Sequence, residues 1–401
     1  MTVASRAIAD TATRRDERRA AGVACGAHAL HDGYTDLIYV MLPLWQVEFG
    51  LGYAALGMLR GVFAGAMACF QIPAGLLAER FGLAGVLALG TALAGLGYCI
   101  AGASAGFSML VVALFLGGLG ASTQHPLASS LMARAFAGAR SMKALGTYNF
   151  AGDIGKMTVP AAAALLLTVM PWRPSLALLG ALGLVAAAAI YWLAPHYGAE
   201  AAPAAEGLAT TVARARSRFA FPALLSIGVL DSATRMAFLT FLPFVLTAKG
   251  ASIPTIGLGL TLVFAGGAAG KLVCAFIGAR IGAIATVWLT EGLTAVVIVA
   301  LLPLPLEGAL GLLPVIGVAL NGTSSVLYGS VPELVTPERR ARAFSIFYTG
   351  TIGSGALAPA IYGLVGDALG VPAALVVIAG VVLLTLPLSL TLRSTLKGRA
   401  P

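Results

Sequence analysis

Charged residues are scarce in this chain: Asp, Glu, Lys and Arg together make up 10% of its 401 residues. Soluble domains contain about 25%, so this scarcity, beside 59% hydrophobic residues, excludes an ordinary soluble domain. Cysteines are also few, and each lies alone in an apolar stretch: Cys25, Cys69, Cys99 and Cys274. This spacing excludes a disulfide framework and a cysteine zinc site, so we expect the four cysteines to act as small packing residues.

The sequence also lacks the motifs of common enzymes. It contains no nucleophile elbow, phosphate-binding loop or metalloprotease helix motif, so we predict no enzymatic activity and no cofactor. The sequence contains no nucleotide-binding loop, so any active transport by this chain must draw its energy from an ion gradient. No basic patch alternates with aromatic residues, which argues against nucleic-acid binding.

Long apolar stretches are abundant instead. A membrane-spanning helix needs ~20 apolar residues, and we count twelve such stretches, six in each half. The 50 glycines suit helices that pack closely in lipid. We therefore predict an all-α membrane protein with twelve transmembrane helices in two pseudo-symmetric six-helix bundles. The predicted parts are a cytoplasmic tail (1–21), a first bundle (22–195), a cytoplasmic linker (196–218), a second bundle (219–393) and a second cytoplasmic tail (394–401).

The two halves resemble each other at an offset of 200 residues. Pro43 aligns with Pro243, for example, whereas His31 aligns with Asp231. Tandem repeats of this kind are common in secondary transporters, which bind substrate between their halves. We therefore expect the two halves to share a similar scaffold of helices but to differ in their ionisable residues.

The distribution of basic residues predicts the orientation in the membrane. Nineteen Lys and Arg residues fall in segments on one side, against only Arg173 and Lys249 on the other. The positive-inside rule then places both termini in the cytoplasm, and we expect a bacterial inner membrane. Contacts with anionic lipid headgroups account for the net charge of +9.

The segment after the second apolar stretch reads Gly75-x-x-x-Glu79-Arg80-x-Gly82, and its copy in the second half retains Arg280. It resembles the signature loop of the major facilitator superfamily. The resemblance implies a conformational gate at the cytoplasmic face. Gly75 would allow close helix contact there, while Glu79 and Arg80 would form ion pairs.

Further motifs lie along the rest of the chain: His28-x-x-x-Asp32, Pro43-Leu44-x-Gln46-x-Glu48-Phe49, Gln71-x-Pro73, His125-Pro126, Glu333-Leu334 and Gly363-Leu364-Val365-x-Asp367. Together they resemble the fosmidomycin-resistance branch of that superfamily, over nearly the whole chain outside the tails and linker. The resemblance implies a proton-driven exporter of small molecules, an antiporter in drug resistance. It implies a monomer that works by alternating access.

Ionisable residues within the apolar stretches are expected to carry the chemistry, because each costs roughly 2.5–3.5 kcal/mol to insert. His28, Asp32 and Asp36 are spaced i, i+4, i+8 on one face of the first helix, with His31 beside them. The resemblance implies that this face lines the cavity together with His125. We predict Asp32 as the coupling proton site and the others as relay or tuning groups; the alternative is a hydrogen-bonded cluster that only locks the helices.

A second set of charged residues predicts a substrate site. Asp153 and Lys156 are spaced i, i+3, and Asp231 and Arg235 are spaced i, i+4. Arginine suits carboxylate or phosphonate groups, so we predict a small organic anion as the substrate. Alternatively, each pair is a salt bridge that only lowers the cost of insertion.

Lys271 extends this predicted anion site, because it has no acid within one turn of its own helix. Its charge must be neutralised by Asp153, by Glu291 or by the substrate. Neutral side chains that could orient a ligand, or could simply join helices, are Gln124, Tyr148, Asn149, Asn321 and Tyr328.

Three functions remain open at this point. The first is a proton-coupled exporter of a small organic anion or drug-like compound. The second is a transporter of a divalent metal or its chelate, because three of the four histidines lie near carboxylates and both groups are metal ligands; the nearby lysines would repel such a cation. The third is a membrane receptor that binds a ligand without moving it.

Overall fold

The computed structural model describes residues 3–136, 139–195, 219–336 and 339–393. The predicted linker and the second tail lie outside these residues, and residues 3–21 of the first predicted tail form the start of α1. The helices are α1 (Val3–Phe49), α2 (Tyr53–Phe81), α3 (Leu83–Gly102), α4 (Phe107–Ala121), α5 (Gln124–Ala135), α6 (Ala139–Leu166), α7 (Trp172–Leu193), α8 (Ala220–Ala248), α9 (Ile253–Ile281), α10 (Ala283–Leu301), α11 (Leu306–Leu334), α12 (Arg340–Leu369), α13 (Val371–Val382) and α14 (Thr385–Leu390).

Ten segments of the described chain are long and apolar enough to cross a membrane. The other two predicted spans correspond to α1 and α6, which are more polar because they carry buried ionisable residues. Two spans that we predicted as single helices are each divided, the fourth into α4 and α5 and the twelfth into α13 and α14. The chain therefore has the all-helical, multi-pass architecture that its composition predicts.

The division between α4 and α5 has a local cause. Pro126 lacks an N–H group, so it cannot donate to the carbonyl group of Ser122 four residues earlier, and the helix is interrupted at Ser122 and Thr123. The hydroxyl group of Thr123 donates instead to the carbonyl oxygen of Gly120, at 3.1 Å. This interruption places His125 in the first turn of α5.

The chain forms two compact units. Unit 1 contains Met1–Leu37, Ala66–Val159 and Val169–Glu206, and unit 2 contains Ile38–Gly65, Pro160–Thr168 and Gly207–Pro401. The end of α1, the first half of α2 and the end of α6 thus pack with the second repeat. The domain boundaries at 22–195 and 219–393 stay predictions.

Helix α3 is central to unit 1 and packs against α7 and α4. Gly95 and Gly180 make the crossing of α3 and α7 possible: a Cβ at Gly95 would lie 2.7 Å from the carbonyl oxygen of Gly180, and a Cβ at Gly180 would lie 2.5 Å from that of Gly95. This close backbone approach is typical of small residues between membrane helices.

Unit 2 is built on two tight helix pairs, α9 with α11 and α8 with α12. The start of α2 joins it through Asp367 of α12, whose carboxylate accepts the backbone N–H groups of Tyr53 at 2.6 Å and of Ala54 at 3.0 Å. A side chain from another helix therefore caps α2 and satisfies N–H groups that have no partner within the helix.

Candidate functional site

Close contact between α1 and α6 creates the first cluster of ionisable residues, in unit 1. Gly155 lies against the backbone of Ala29, and a Cβ at Gly152 would lie 2.6 Å from Oδ2 of Asp32 and 2.7 Å from Cε1 of His28. The lack of a side chain at Gly152 therefore leaves the space that these two residues occupy.

Asp32 is the centre of this cluster. Its Oδ1 lies 3.4 Å from Nε2 of His28 and 3.7 Å from Nε2 of His31, and its Oδ2 lies 3.3 Å from Nζ of Lys156. Asp32 and the two histidines are buried, whereas the Lys156 side chain is 31% exposed. The predicted proton site is therefore joined by a lysine that we had assigned to the substrate.

The orientation of His28 is fixed by Tyr148 of α6. Nδ1 of His28 lies 2.8 Å from the carbonyl oxygen of Tyr148; since a carbonyl group only accepts, Nδ1 must carry a proton. The two rings stack with their centroids 3.9 Å apart. Nε2 therefore faces Asp32, and in neutral His28 its lone pair opposes the carboxylate. A proton bound between them removes this repulsion.

A second imidazole contact extends the cluster to α5. Nε2 of His31 lies 3.4 Å from Nε2 of His125, and the rings meet edge to face with centroids 4.8 Å apart. His125 is the exposed member of the group. Two facing imidazole nitrogens can share one proton, so the chain of groups from Asp32 through His31 ends at an accessible residue.

Two further predicted acids lie next to this cluster along the helices. Asp36 follows Asp32 by one turn of α1, and Asp153 follows Gly152 on α6; both are buried. Their roles in proton coupling and in substrate binding stay predictions.

The second cluster lies in unit 2, where Asp231 of α8 and Glu291 of α10 are both buried. The two carboxyl groups lie within hydrogen-bond reach of each other, and the positive charge of half-buried Arg235 acts on both. Glu291 is thus placed beside Asp231, and its partnership with Lys271, considered from the sequence, stays a prediction. Lys271 itself is half-buried on α9.

The neutral residues predicted for the substrate site take varied positions. Buried Gln124 donates to the hydroxyl group of Thr91 at 2.7 Å, and Asn321 donates to the carbonyl oxygen of Gly317 at 3.1 Å. The remaining three are Tyr148, which stacks on His28, Asn149, which is exposed, and Tyr328, whose hydroxyl group lies 3.4 Å from that of Thr351. Their part in binding stays a prediction.

The residues of the predicted gate lie at the end of α2 and at the corresponding end of α9. Gly82 has φ +87°, a value that favours glycine, and it ends α2 before α3 begins. In this structure a Cβ at Gly75 would meet no atom of the described residues within 4 Å, and the close helix contact at Gly75 stays a prediction. Glu79, Arg80 and Arg280 are exposed, and gating by them stays a prediction.

Glu291 is the residue of the second cluster that the sequence-based site omitted. The repeat offers a signal for it, since Glu291 aligns with Thr91 and Asp231 with His31 at the offset of 200. Acids that stand at both positions of the second repeat, where the first repeat has no acid, are the signal that could have indicated this pair.

About twelve apolar helices that enclose clusters of buried acids and bases define a multi-pass membrane transporter. The chain belongs to the Major Facilitator Superfamily, whose family model matches residues 24–230 and again residues 224–400. The two successive matches agree with the tandem repeat. The resemblance to this superfamily is therefore confirmed, and the protein is a transporter, not an enzyme.

Individual relatives support this assignment. The chain is 26% identical to the Fosmidomycin resistance protein of Escherichia coli (strain K12) over 368 residues, which cover 90% of this chain and 89% of that protein. It is 27% identical to the Probable L-galactonate transporter of the same organism over 261 residues, which cover 61% and 56%. A bacterial homolog of the human lysosomal transporter Spinster has the same fold, with TM-score 0.77, 15% identity and coverage of 95% and 98%.

Proposed function

We propose that the protein is a proton-coupled secondary transporter that exports a small organic anion or drug-like compound by alternating access. We place it in a bacterial inner membrane with both termini in the cytoplasm. The observation that carries the proposal is the position of Asp32, between Nε2 of His28 and Nζ of Lys156. The similarity to the Fosmidomycin resistance protein supports export.

In this proposal the coupling proton binds to the carboxylate of Asp32. His28 is held by Tyr148, so its unprotonated Nε2 provides the second acceptor for the same proton. His31 and His125 form the path between Asp32 and the exposed side of the cluster. Because the cluster is buried, water does not screen the charges around Asp32, so small changes in its surroundings change the affinity of Asp32 for the proton.

Lys156 links the proton to the charge of the substrate. When Asp32 is protonated, Lys156 loses the negative charge that balances it and can bind a carboxylate or phosphonate. By linkage, an anion bound to Lys156 and a proton on Asp32 favour each other. An anion that binds together with the proton would move in the same direction as the proton. Export driven by proton entry therefore applies to a compound that binds when Asp32 is ionised and that competes with the proton. The pH dependence of binding therefore separates the two kinds of substrate.

The test replaces Asp32 by asparagine, which keeps the shape of the side chain but cannot ionise. Ligands are first found by thermal-shift screening of fosmidomycin, small carboxylates and small phosphonates. In proteoliposomes, Asp32→Asn is expected to abolish transport driven by a pH gradient, while binding and counterflow of the labelled compound survive. Glu307→Gln, which removes an exposed carboxylate at the start of α11, is the control and is expected to behave as wild type.

The outcomes separate the alternatives. Gradient-driven transport that is unchanged in Asp32→Asn would remove Asp32 from the mechanism. Binding without counterflow in the wild type would support a receptor in place of a carrier. Tighter binding at acidic pH would identify an anion that binds with the proton, and tighter binding at alkaline pH a compound that competes with it.

Divalent metal transport is the second candidate, because ligand atoms of His28, Asp32 and His125 lie within 4.8 Å of one another. Imidazole and carboxylate groups suit several transition metals. The ammonium group of Lys156, 3.3 Å from Asp32, opposes a cation there. Titration of the purified protein with Zn²⁺ and Mn²⁺ tests this: stabilisation lost in His28→Ala or His125→Ala would favour metal transport, and no stabilisation in the wild type would reject it.

A further inference from the structure

Two carboxyl groups in unit 2 are buried side by side. Asp231 of α8 is 5% exposed and Glu291 of α10 is 2% exposed, and their carboxyl groups lie within hydrogen-bond reach of each other. Ionised carboxylates have acceptors only, so two of them at this separation repel each other. A proton on one carboxyl group converts this repulsion into a hydrogen bond, and the arrangement therefore favours a state with one shared proton.

The charge of the surroundings agrees with this count. With one shared proton the pair carries one negative charge, and Arg235 supplies one positive charge. Loss of the proton would leave a net negative charge in a buried site, where an uncompensated charge is costly. The cluster is therefore balanced when it holds the proton, and it becomes charged when the proton leaves.

The site also has spare hydrogen-bonding capacity. Among the described residues, Oε1 of Glu291 has no hydrogen-bond partner, and neither do the buried hydroxyl groups of Thr234 and Thr294, one turn from the two acids. Thr323, within hydrogen-bond reach of Glu291, lies 2.5 Å from the hydroxyl group of Thr290. These groups can therefore accept or donate further hydrogen bonds when a proton binds or leaves, and a buried oxygen without a partner costs about 1–3 kcal/mol.

Few other ionisable groups face the pair. Tyr328 of α11 interacts with both Asp231 and Arg235. Of the other helices packed on α8 or α10, α9 carries Lys271 and Cys274 and α12 carries Tyr348 and Tyr362 within the apolar spans. Helices α13 and α14 contain no ionisable residue. Arg235, one turn along α8 from Asp231, is the positively charged group that acts on both acids.

We propose that Asp231 and Glu291 form a second proton-binding site, which holds one proton between its carboxyl groups and releases it during transport. The release during transport rests on the proposed function, whereas the binding of the proton does not. The first repeat has His31 and Thr91 at the corresponding positions, so this site belongs to the second repeat alone.

The proton itself is the probe in the first experiment. Infrared difference spectroscopy of the purified, full-length protein in lipid vesicles records the carbonyl stretch of protonated carboxylic acids during a pH titration. The wild type is expected to show a band that disappears at alkaline pH and that is lost in Glu291→Gln. Asp32→Asn, which changes the cluster in unit 1, is expected to keep that band.

Three results would overturn the proposal. The first is the absence of a titrating band in the wild type. The second is a band that persists in both Glu291→Gln and Asp231→Asn. The third is a band that stays constant at every pH at which the protein is folded, since this would show a structural hydrogen bond that never releases its proton.

A stability measurement guards against misfolding of the variants. In Glu291→Gln the amide group can still donate to Asp231, so this variant is expected to fold and to keep its melting temperature at alkaline pH, where that of the wild type falls. Equal pH profiles for the two proteins would count against the site. A normal Glu291 band combined with unchanged proton coupling in Asp32→Asn would reject the role of Asp32 and leave the second site standing.

Discussion

Replacing Gly152 by alanine tests whether the crossing of α1 and α6 holds the proton site in place. The added Cβ would lie 2.6 Å from Oδ2 of Asp32 and 2.7 Å from Cε1 of His28, so both side chains must move. Overpacking of this kind costs about 1–3 kcal/mol, while alanine in a helix gains about 0.5–1 kcal/mol over glycine. We expect a net destabilisation of up to about 2.5 kcal/mol and a loss of proton-driven transport.

Gly146 of the same helix provides the matched control. It is exposed, and a Cβ there would meet no described atom within 4 Å, so Gly146→Ala is expected to gain about 0.5–1 kcal/mol and to transport normally. Thermal unfolding and gradient-driven transport would be measured for both variants in the same lipid. Equal stability of the two variants, or normal coupling in Gly152→Ala, would refute the role that we assign to this crossing.

Two further predictions concern the packing of α2 in unit 2. Gly57 lies against the backbone of Pro359, whereas a Cβ at Gly65 would have no described atom within 4 Å. Gly57→Ala is therefore expected to lower the melting temperature, and Gly65→Ala to leave it unchanged or raise it. A lower melting temperature for Gly65→Ala than for Gly57→Ala would contradict this packing. Asp367→Ala removes the acceptor for the first two N–H groups of α2. It is expected to lower the free energy of unfolding by about 0.5–2 kcal/mol, which thermal unfolding would measure. An unchanged melting temperature would show that the cap contributes nothing.

The fold class could be predicted from the sequence because the membrane imposes simple requirements on composition. Apolar stretches of sufficient length and the repeat together indicate two sets of helices. The interruption before His125 was not predicted, although Pro126 explains it. Helix α6 was counted as a span even though it is too polar to be recognised by hydropathy alone.

The arrangement of the first cluster could be predicted only in part. The spacing of His28 and Asp32 places them on one face of α1, and the structure has them 3.4 Å apart. The approach of Lys156 depends on which helices cross and at what depth, and that is decided by glycines such as Gly152. A single sequence does not indicate the partner of a small residue, so it predicts Lys156 as a substrate residue or a salt-bridge partner of Asp153, and not as a partner of Asp32.

The two clusters differ in how many bound protons make them electrically neutral. Within the ion pair of Asp32 and Lys156, the charges balance when the proton is absent, so a proton that binds to Asp32 leaves the positive charge of Lys156. Asp231, Glu291 and Arg235 balance with one proton present, so a proton that leaves creates one negative charge. Because uncompensated charge is costly within a membrane protein, each transition favours a ligand of opposite sign at that cluster. In the proposed mechanism the second repeat therefore favours a cationic group when it is deprotonated, and the first repeat favours an anionic group when it is protonated.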